Sequence, residues 1–384
     1  MQGVESENWK GITLEMGQLR QRDYWPTSSW RTTTPQEFGL DAKSFIDLHQ
    51  YAQGAQRVHS LLLVYSGYIV FEEYYHGWSQ NKYHNMNSVT KSVTSALVGI
   101  ALREGILDDL HRPALSFFPE YACQNQNVRK QAVTLHYLLS MSSGFVSPPG
   151  EIDTFLEHSS SVEKLLGRSV QHEPGKIFTY DDLDAHLVSL ILNRVTRVPT
   201  AVFAQTYLFE PLGIWYDEQG RPYPWKHGIA LADRPHPWGL WNEQDDALWS
   251  IDRQGYHIGG FGLQLTTREM AKFGYLYLNR GRWDGQIVLP ATYVQDSLSQ
   301  HVITPKDDTT HGEGYGYLWY LPHWWRYRSF WAIGFGGQVI ACFPDLDVVV
   351  VMTAQPDLEG PPPHRKIISD FVMPILDEIA STQE

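Results

Sequence analysis

Two tetrapeptides place a serine three residues before a lysine: Ser88-Val89-Thr90-Lys91 and Ser161-Val162-Glu163-Lys164. On a helix that spacing puts both side chains on one face, where hydroxyl and amine can touch. A serine hydroxyl becomes a good nucleophile only when a base takes its proton. A lysine, with an ordinary pKa of about 10.4, serves as that base when it is desolvated or set near positive charge. A helix N-terminus helps on both counts, favouring negative charge on the serine and disfavouring the protonated amine. Ordinary composition yields about one or two such tetrapeptides in a chain of this length, so the spacing does not choose between the copies. Their surroundings do. Ser160 and Glu163 have the spacing of a capping box, which predicts an ordinary helix start at Ser161. After Ser88, Val93, Leu97, Ile100 and Ala101 share one helical face and Gly105 supplies a stop.

The elements that must position such a helix are legible in the hydrophobic periodicity. The first 35 residues show little and are expected to wrap the surface. A helical pattern covers 41–54, and apolar runs at 60–65 and 68–75 flank Ser66-Gly67, which is a hairpin signal. Helices are predicted over 183–194 and 266–279, strands over 315–321, 330–335, 338–343 and 347–354, and a last helix over about 366–379. Strands at both ends with helices between predict an α/β (α+β) fold with a largely antiparallel sheet flanked by helices. The sheet is expected from about 35–85 plus 300–384 and an inserted, mostly helical region from about 86–299, all within one unit, 1–384.

Composition removes several functions. A net charge of −13 and the lack of any basic run exclude a nucleic-acid partner. Two cysteines, Cys123 and Cys342, are too few for a disulfide framework, and sixteen scattered histidines form no HExxH or Cys/His cluster, so neither metal nor other cofactor is expected. No leader pattern and no apolar run approaching about 18 residues is visible, which predicts a cytoplasmic protein with no membrane partner. Aromatic residues crowd 215–249 and 315–331, read first as packing and second as the lining of a broad pocket.

The segment Asn87-Ser88-Val89-Thr90-Lys91-Ser92-Val93-Thr94-Ser95-Ala96-Leu97-Val98-Gly99 closely resembles the nucleophile helix of the class C β-lactamase family, which includes esterases, D-amino-acid peptidases and linear nylon-oligomer hydrolases. Later segments resemble that family's landmarks in order. They are Val133-Thr134-Leu135-His136-Tyr137-Leu138-Leu139-Ser140-Met141-Ser142-Ser143-Gly144, then Phe178-Thr179-Tyr180 with Asp184-Ala185-His186-Leu187. Gly259-Gly260-Phe261-Gly262-Leu263, Lys272-Phe273-Gly274 and Ala332-Ile333-Gly334-Phe335-Gly336-Gly337-Gln338 follow. The resemblance spans about 35–380 and implies a β-lactamase/transpeptidase-like, penicillin-binding-protein-like fold. It also implies Ser88 as the acylated serine, Lys91 beside it, and Tyr180 as a phenol exchanging protons with nucleophile and leaving group. The implied oxyanion hole is the backbone N–H of Ser88 and of Phe335, with Gly334 and Gly336 letting substrate approach the closing strand.

Two positions depart from the family's pattern. Many members have Tyr-x-Asn, whose amide contacts substrate, whereas this chain has Tyr180-Asp181-Asp182, and an ionised Asp182 cannot donate. Asp182 is therefore a substrate-facing candidate that would suit a cationic amine, set against the plainer reading of a helix-starting carboxylate pair. Ala332 stands where many β-lactamases and cell-wall enzymes carry a cation for a substrate carboxylate. Both departures point away from β-lactams. The expected activity is a carboxylesterase-type serine hydrolase acting through an acyl-enzyme on a small ester or amide. The alternatives are an amidase or peptidase, a linear oligoamide hydrolase, a weak β-lactamase, an acyltransferase, or a non-catalytic scaffold. The oligomeric state is left open.

Overall fold

The computed structural model describes residues 20–124, 127–147, 161–216, 248–306, 311–323, 325–356 and 361–383. Strands β1 (Val58–Tyr65) and β2 (Tyr68–Tyr74) pair antiparallel about Ser66 and Gly67. Both turn residues have positive φ, 51° and 87°, which gives the hairpin a turn matching the twist of its strands. Six more strands come from the end of the chain: β3 (Val302–Ile303), β4 (Gly314–Tyr315), β5 (Tyr320–Leu321), β6 (Phe330–Gly334), β7 (Gln338–Phe343) and β8 (Val348–Ala354). They form one eight-stranded sheet in the order β2-β1-β8-β7-β6-β5-β4-β3, antiparallel throughout. The mixed architecture with a large antiparallel sheet is the one the sequence predicts.

Both faces of the sheet are covered, which explains why β8 reads Val-Val-Val-Val without polar alternation. Val348, Val350, Met352 and Ala354 pack with Phe45, Leu48 and Ala52 of helix α1 (Ala42–Gly54) and with Ile375, Leu376 and Ile379 near the C-terminus. Val349 and Val351 face the opposite core, shared with α2 (Val89–Arg103), α3 (Asp182–Thr196) and α4 (Thr267–Leu278). Each such valine contributes about 1.5–3 kcal/mol by leaving water.

Helix α2 is buried along every side from Val89 to Ala101, not along one face as its apolar spacing suggests. Its polar residues are nonetheless satisfied. Ser92 Oγ donates to Leu318 O (2.7 Å), Thr94 Oγ1 donates to Gly259 O (2.8 Å), and Ser95 Oγ lies 3.0 Å from Tyr293 Oη. A helix tied on several sides and packed all round holds the side chains at its start rigidly.

Two expectations are revised. The strand predicted over 315–321 is two short strands, β4 and β5, because Leu318 takes a positive φ (61°) and its N–H bonds Leu139 O, docking the intervening turn on the helical region. The last helix runs from His364 to Gln383 with a π-helical stretch at Ile368–Val372, just before Pro374, whose ring and missing N–H disturb a regular ladder. Tyr315, Tyr317, Trp319, Phe330 and Trp331 are buried packing residues. Of the other aromatic stretch, Trp215 and Trp249 are buried and 217–247 lies outside the described residues, as do Ser160 and the segment before Arg20. From Arg20 the chain does run along the molecule, and Arg22 pairs Asp347 at 2.6 Å. Among the described residues no single helix is long and apolar enough to cross a membrane.

Candidate active site

Ser88 is the N-cap of α2, half-buried, and follows Asn87, whose φ of +46° turns the chain into the helix. Lys91, one turn on, lies nearly out of water with a side-chain exposure of 2%. Its Nζ donates to Ser88 Oγ (3.0 Å), to Gly260 O (2.8 Å) and to Asp182 Oδ1. Three acceptors match the three N–H donors of an ammonium group. Tyr180 reaches the same serine from the residues before α3, its hydroxyl donating to Ser88 Oγ at 2.6 Å, and Lys91 Nζ sits 4.7 Å above its ring. Lys91, one turn from Ser88, and Tyr180, 92 positions away, therefore meet at one oxygen.

The approach of these elements depends on small residues. A Cβ at Gly259 would lie 2.1 Å from Ala185 O, so only glycine lets this loop pass between α2 and α3 and present the Gly260 carbonyl to Lys91. Tyr180 is fixed by its neighbours. Thr179 N bonds Met141 O (2.8 Å), and Asp181 caps α3 through Leu183 N (2.8 Å). Asp181 and Asp184 share buried Arg168, at 2.5 Å and 2.8 Å, and Ser143 Oγ donates to Asp184 at 2.5 Å. Burial raises the Asp184 carboxyl against the opposing pull of Arg168.

Asp181 and Asp182 thus have opposite fates. Asp181 is the helix-starting carboxylate that the sequence offers as the plainer reading. Asp182 is engaged by Lys91 and not left open as a docking point for a substrate amine. The carboxylate also bears on the tyrosine. Desolvation around the hydroxyl, on a side chain that is otherwise 39% exposed, and after it the Asp182 charge push the Tyr180 phenol above its ordinary value, with the Ser88 hydrogen bond pulling the other way. The hydroxyl donates to Ser88 Oγ, as suits a phenol that exchanges protons with the nucleophile.

The second wall of the site is the end of β6. Phe335 has an exposed ring, and its carbonyl accepts from Asn87 Nδ2 (3.0 Å) and Gln338 Nε2 (3.3 Å). Gly334 and Gly336 have structural reasons that differ from substrate approach. A Cβ at 334 would lie 2.3 Å from Met86 O, and one at 336, where φ is +81°, would lie 2.3 Å from Pro356 Cα. Ala332 is buried in the core shared with α2, so its side chain offers nothing to a substrate. Asn87, Arg168 and the Gly260 carbonyl carry no spacing signal in the sequence. Only the Asp181 cap could have been read there, from its place before a helical run.

Residues 49–368 match the Beta-lactamase family, and the chain belongs to it. It is similar to the 6-aminohexanoate-dimer hydrolase of Paenarthrobacter ureafaciens, with 23% identity over 314 residues, covering 77% of this chain and 72% of the relative. With Protein flp of Staphylococcus aureus (strain MW2) it shares 24% identity over 220 residues, spanning 44% of that protein and 50% of its own length. The fold is similar to that of an octameric penicillin-binding protein homologue from Pyrococcus abyssi (TM-score 0.61, 20% identity, 86% of this chain and 76% of that one). It is also similar to a family VIII carboxylesterase (TM-score 0.60, 19% identity, 87% and 98%).

Proposed function

We propose that this protein is a serine hydrolase that opens carboxylic ester bonds through an acyl-enzyme on Ser88. The observation that carries the reading is the convergence on Ser88 Oγ of Lys91 Nζ at 3.0 Å and Tyr180 Oη at 2.6 Å, at the start of a buried helix. Lys91 hands a proton to Asp182, and the freed amine takes the Ser88 proton as Oγ bonds to the substrate carbonyl carbon. The N–H groups of Ser88 and Phe335 hold the oxyanion, a role in which one donor is worth about 2.7–4 kcal/mol of activation energy. Collapse breaks the ester C–O bond, and the Tyr180 hydroxyl protonates the leaving oxygen. Lys91 then restores the tyrosine proton and regains its own from Asp182, and water repeats the sequence to release the acid.

Ester substrates are preferred over β-lactams in this reading, because Ala332 leaves the β6 wall without a cation and Lys91 is already engaged by Asp182. A linear amide is the second reading, supported by the similarity to a 6-aminohexanoate-dimer hydrolase. Parallel turnover of a short p-nitrophenyl ester, a chromogenic cephalosporin and a D-amino-acid amide tests this. The ester is expected to turn over fastest, and a fluorophosphonate is expected to add its mass at Ser88. Added alcohol separates hydrolysis from acyl transfer. Absence of both turnover and labelling would support a non-catalytic scaffold instead.

A further inference from the structure

The two backbone donors assigned to the oxyanion lie on different elements, Ser88 at the start of α2 and Phe335 at the end of β6. Something must fix the distance between them, since a misplacement of about 1 Å can cost about 10²-fold in rate. Asn87 spans that gap. It is 1% exposed, immediately precedes the nucleophile, and its Nδ2 donates to Phe335 O at 3.0 Å.

The residue is itself held on both sides. Its own N–H bonds Asn85 Oδ1 (3.0 Å), and Met86 N bonds Leu263 O (2.8 Å). The Met86 carbonyl lies so near Gly334 that no Cβ fits there. On the far side, Gln338 donates to the same Phe335 carbonyl at 3.3 Å and to Ala354 O at 2.7 Å, and receives Ala354 N at 3.1 Å. The Phe335 peptide is therefore gripped between a side chain from the nucleophile turn and one anchored in β8. Asparagine suits position 87 twice over, since it tolerates the left-handed backbone there (φ +46°) and supplies an amide donor.

We propose that Asn87 is the positioning residue of the oxyanion hole, setting the Phe335 donor at its working distance from the Ser88 donor. The inference rests on the acyl-enzyme reading above. Two variants test it. Asn87→Gly keeps the left-handed backbone and loses the amide, while Asn87→Asp keeps the size and turns an acceptor toward the Phe335 carbonyl. On a short p-nitrophenyl ester, kcat is expected to fall about 10- to 100-fold with KM within about 3-fold, somewhat less than the loss of a whole oxyanion donor.

The distinguishing readout is the ratio of kcat/KM for an ester and its thionoester, whose sulfur is a poor hydrogen-bond acceptor. Wild type should favour the oxygen substrate strongly, and both variants should do so at least 5-fold less. Thermal unfolding of the variants accompanies the kinetics. An unchanged ratio overturns the proposal, whether kcat is preserved or falls along with thermal stability. If the fluorophosphonate labels wild-type Ser88 while the ratio stays fixed, this inference alone fails. If Ser88 is never labelled, the reading beneath it fails too.

Discussion

On one side of the site, the start of α2, the start of α3 and the residues just before it bring Ser88, Lys91, Tyr180 and Asp182 into a single hydrogen-bonded cluster. On the other side, the stretch Ala332-Ile333-Gly334-Phe335-Gly336 carries no ionisable side chain and offers backbone groups and apolar surface. In the proposed mechanism proton transfer belongs to the first wall, and the carbonyl oxygen is held between the Ser88 N–H of that wall and the Phe335 N–H of the second. The division has a consequence for substrates. In the proposed reading, with Lys91 engaged by a carboxylate and no cation in the stretch 332–336, neutral carbonyl compounds are expected over those carrying a carboxylate of their own.

The contrast can be broken most completely at the nucleophile. Ser88→Ala should lower ester kcat by on the order of 10⁴-fold or more and abolish fluorophosphonate labelling, with the melting temperature little changed. Undiminished turnover would place the nucleophile elsewhere. Tyr180→Phe keeps the ring over Lys91 and removes only the hydroxyl. It should lower kcat by about 10²–10⁴-fold, with the larger loss for substrates whose leaving group needs a proton, read by comparing p-nitrophenyl and alkyl esters.

Asp182→Asn sharpens the comparison through its pH dependence. A nearby anion disfavours the phenolate, so neutralising it must move Tyr180 ionisation to lower pH, seen as the tyrosinate absorbance that Tyr180→Phe removes. The same variant should lose about 10²-fold in kcat if Asp182 takes the lysine proton, whereas unchanged kcat would show that Lys91 does not pass its proton to Asp182. The smallest effect belongs to the opposite wall. Phe335→Ala leaves the backbone N–H in place, so kcat should stay within about 3-fold, while KM for longer acyl chains rises by several-fold as apolar contact is lost. A large fall in kcat would show that the ring itself orders the strand.

Much of the framework was legible in local pattern. The hairpin at Ser66-Gly67, the helix from Ala42 and the apolar runs of β7 and β8 follow from turn chemistry and periodicity, which depend only on neighbours in the chain. The aromatic run 315–331 was ambiguous because a ring's composition does not say whether it faces a core or a pocket. The burial of Tyr315, Tyr317, Trp319, Phe330 and Trp331 is a property of the packed layers.

The sequence by itself determined that Ser88 and Lys91 share a helical face, because three-residue spacing is a geometric fact of the helix, and that Asp181 could cap the helix after it. It could not determine which of two adjacent carboxylates would meet the lysine. That choice was made where α3 docks against α2. Asp181 turns back to Arg168, and Asp182 is carried onto Nζ. Nor could it show that the residue before the nucleophile reaches across to the strand that completes the site, since a contact between positions 248 apart in sequence exists only once the sheet and helices have closed around it.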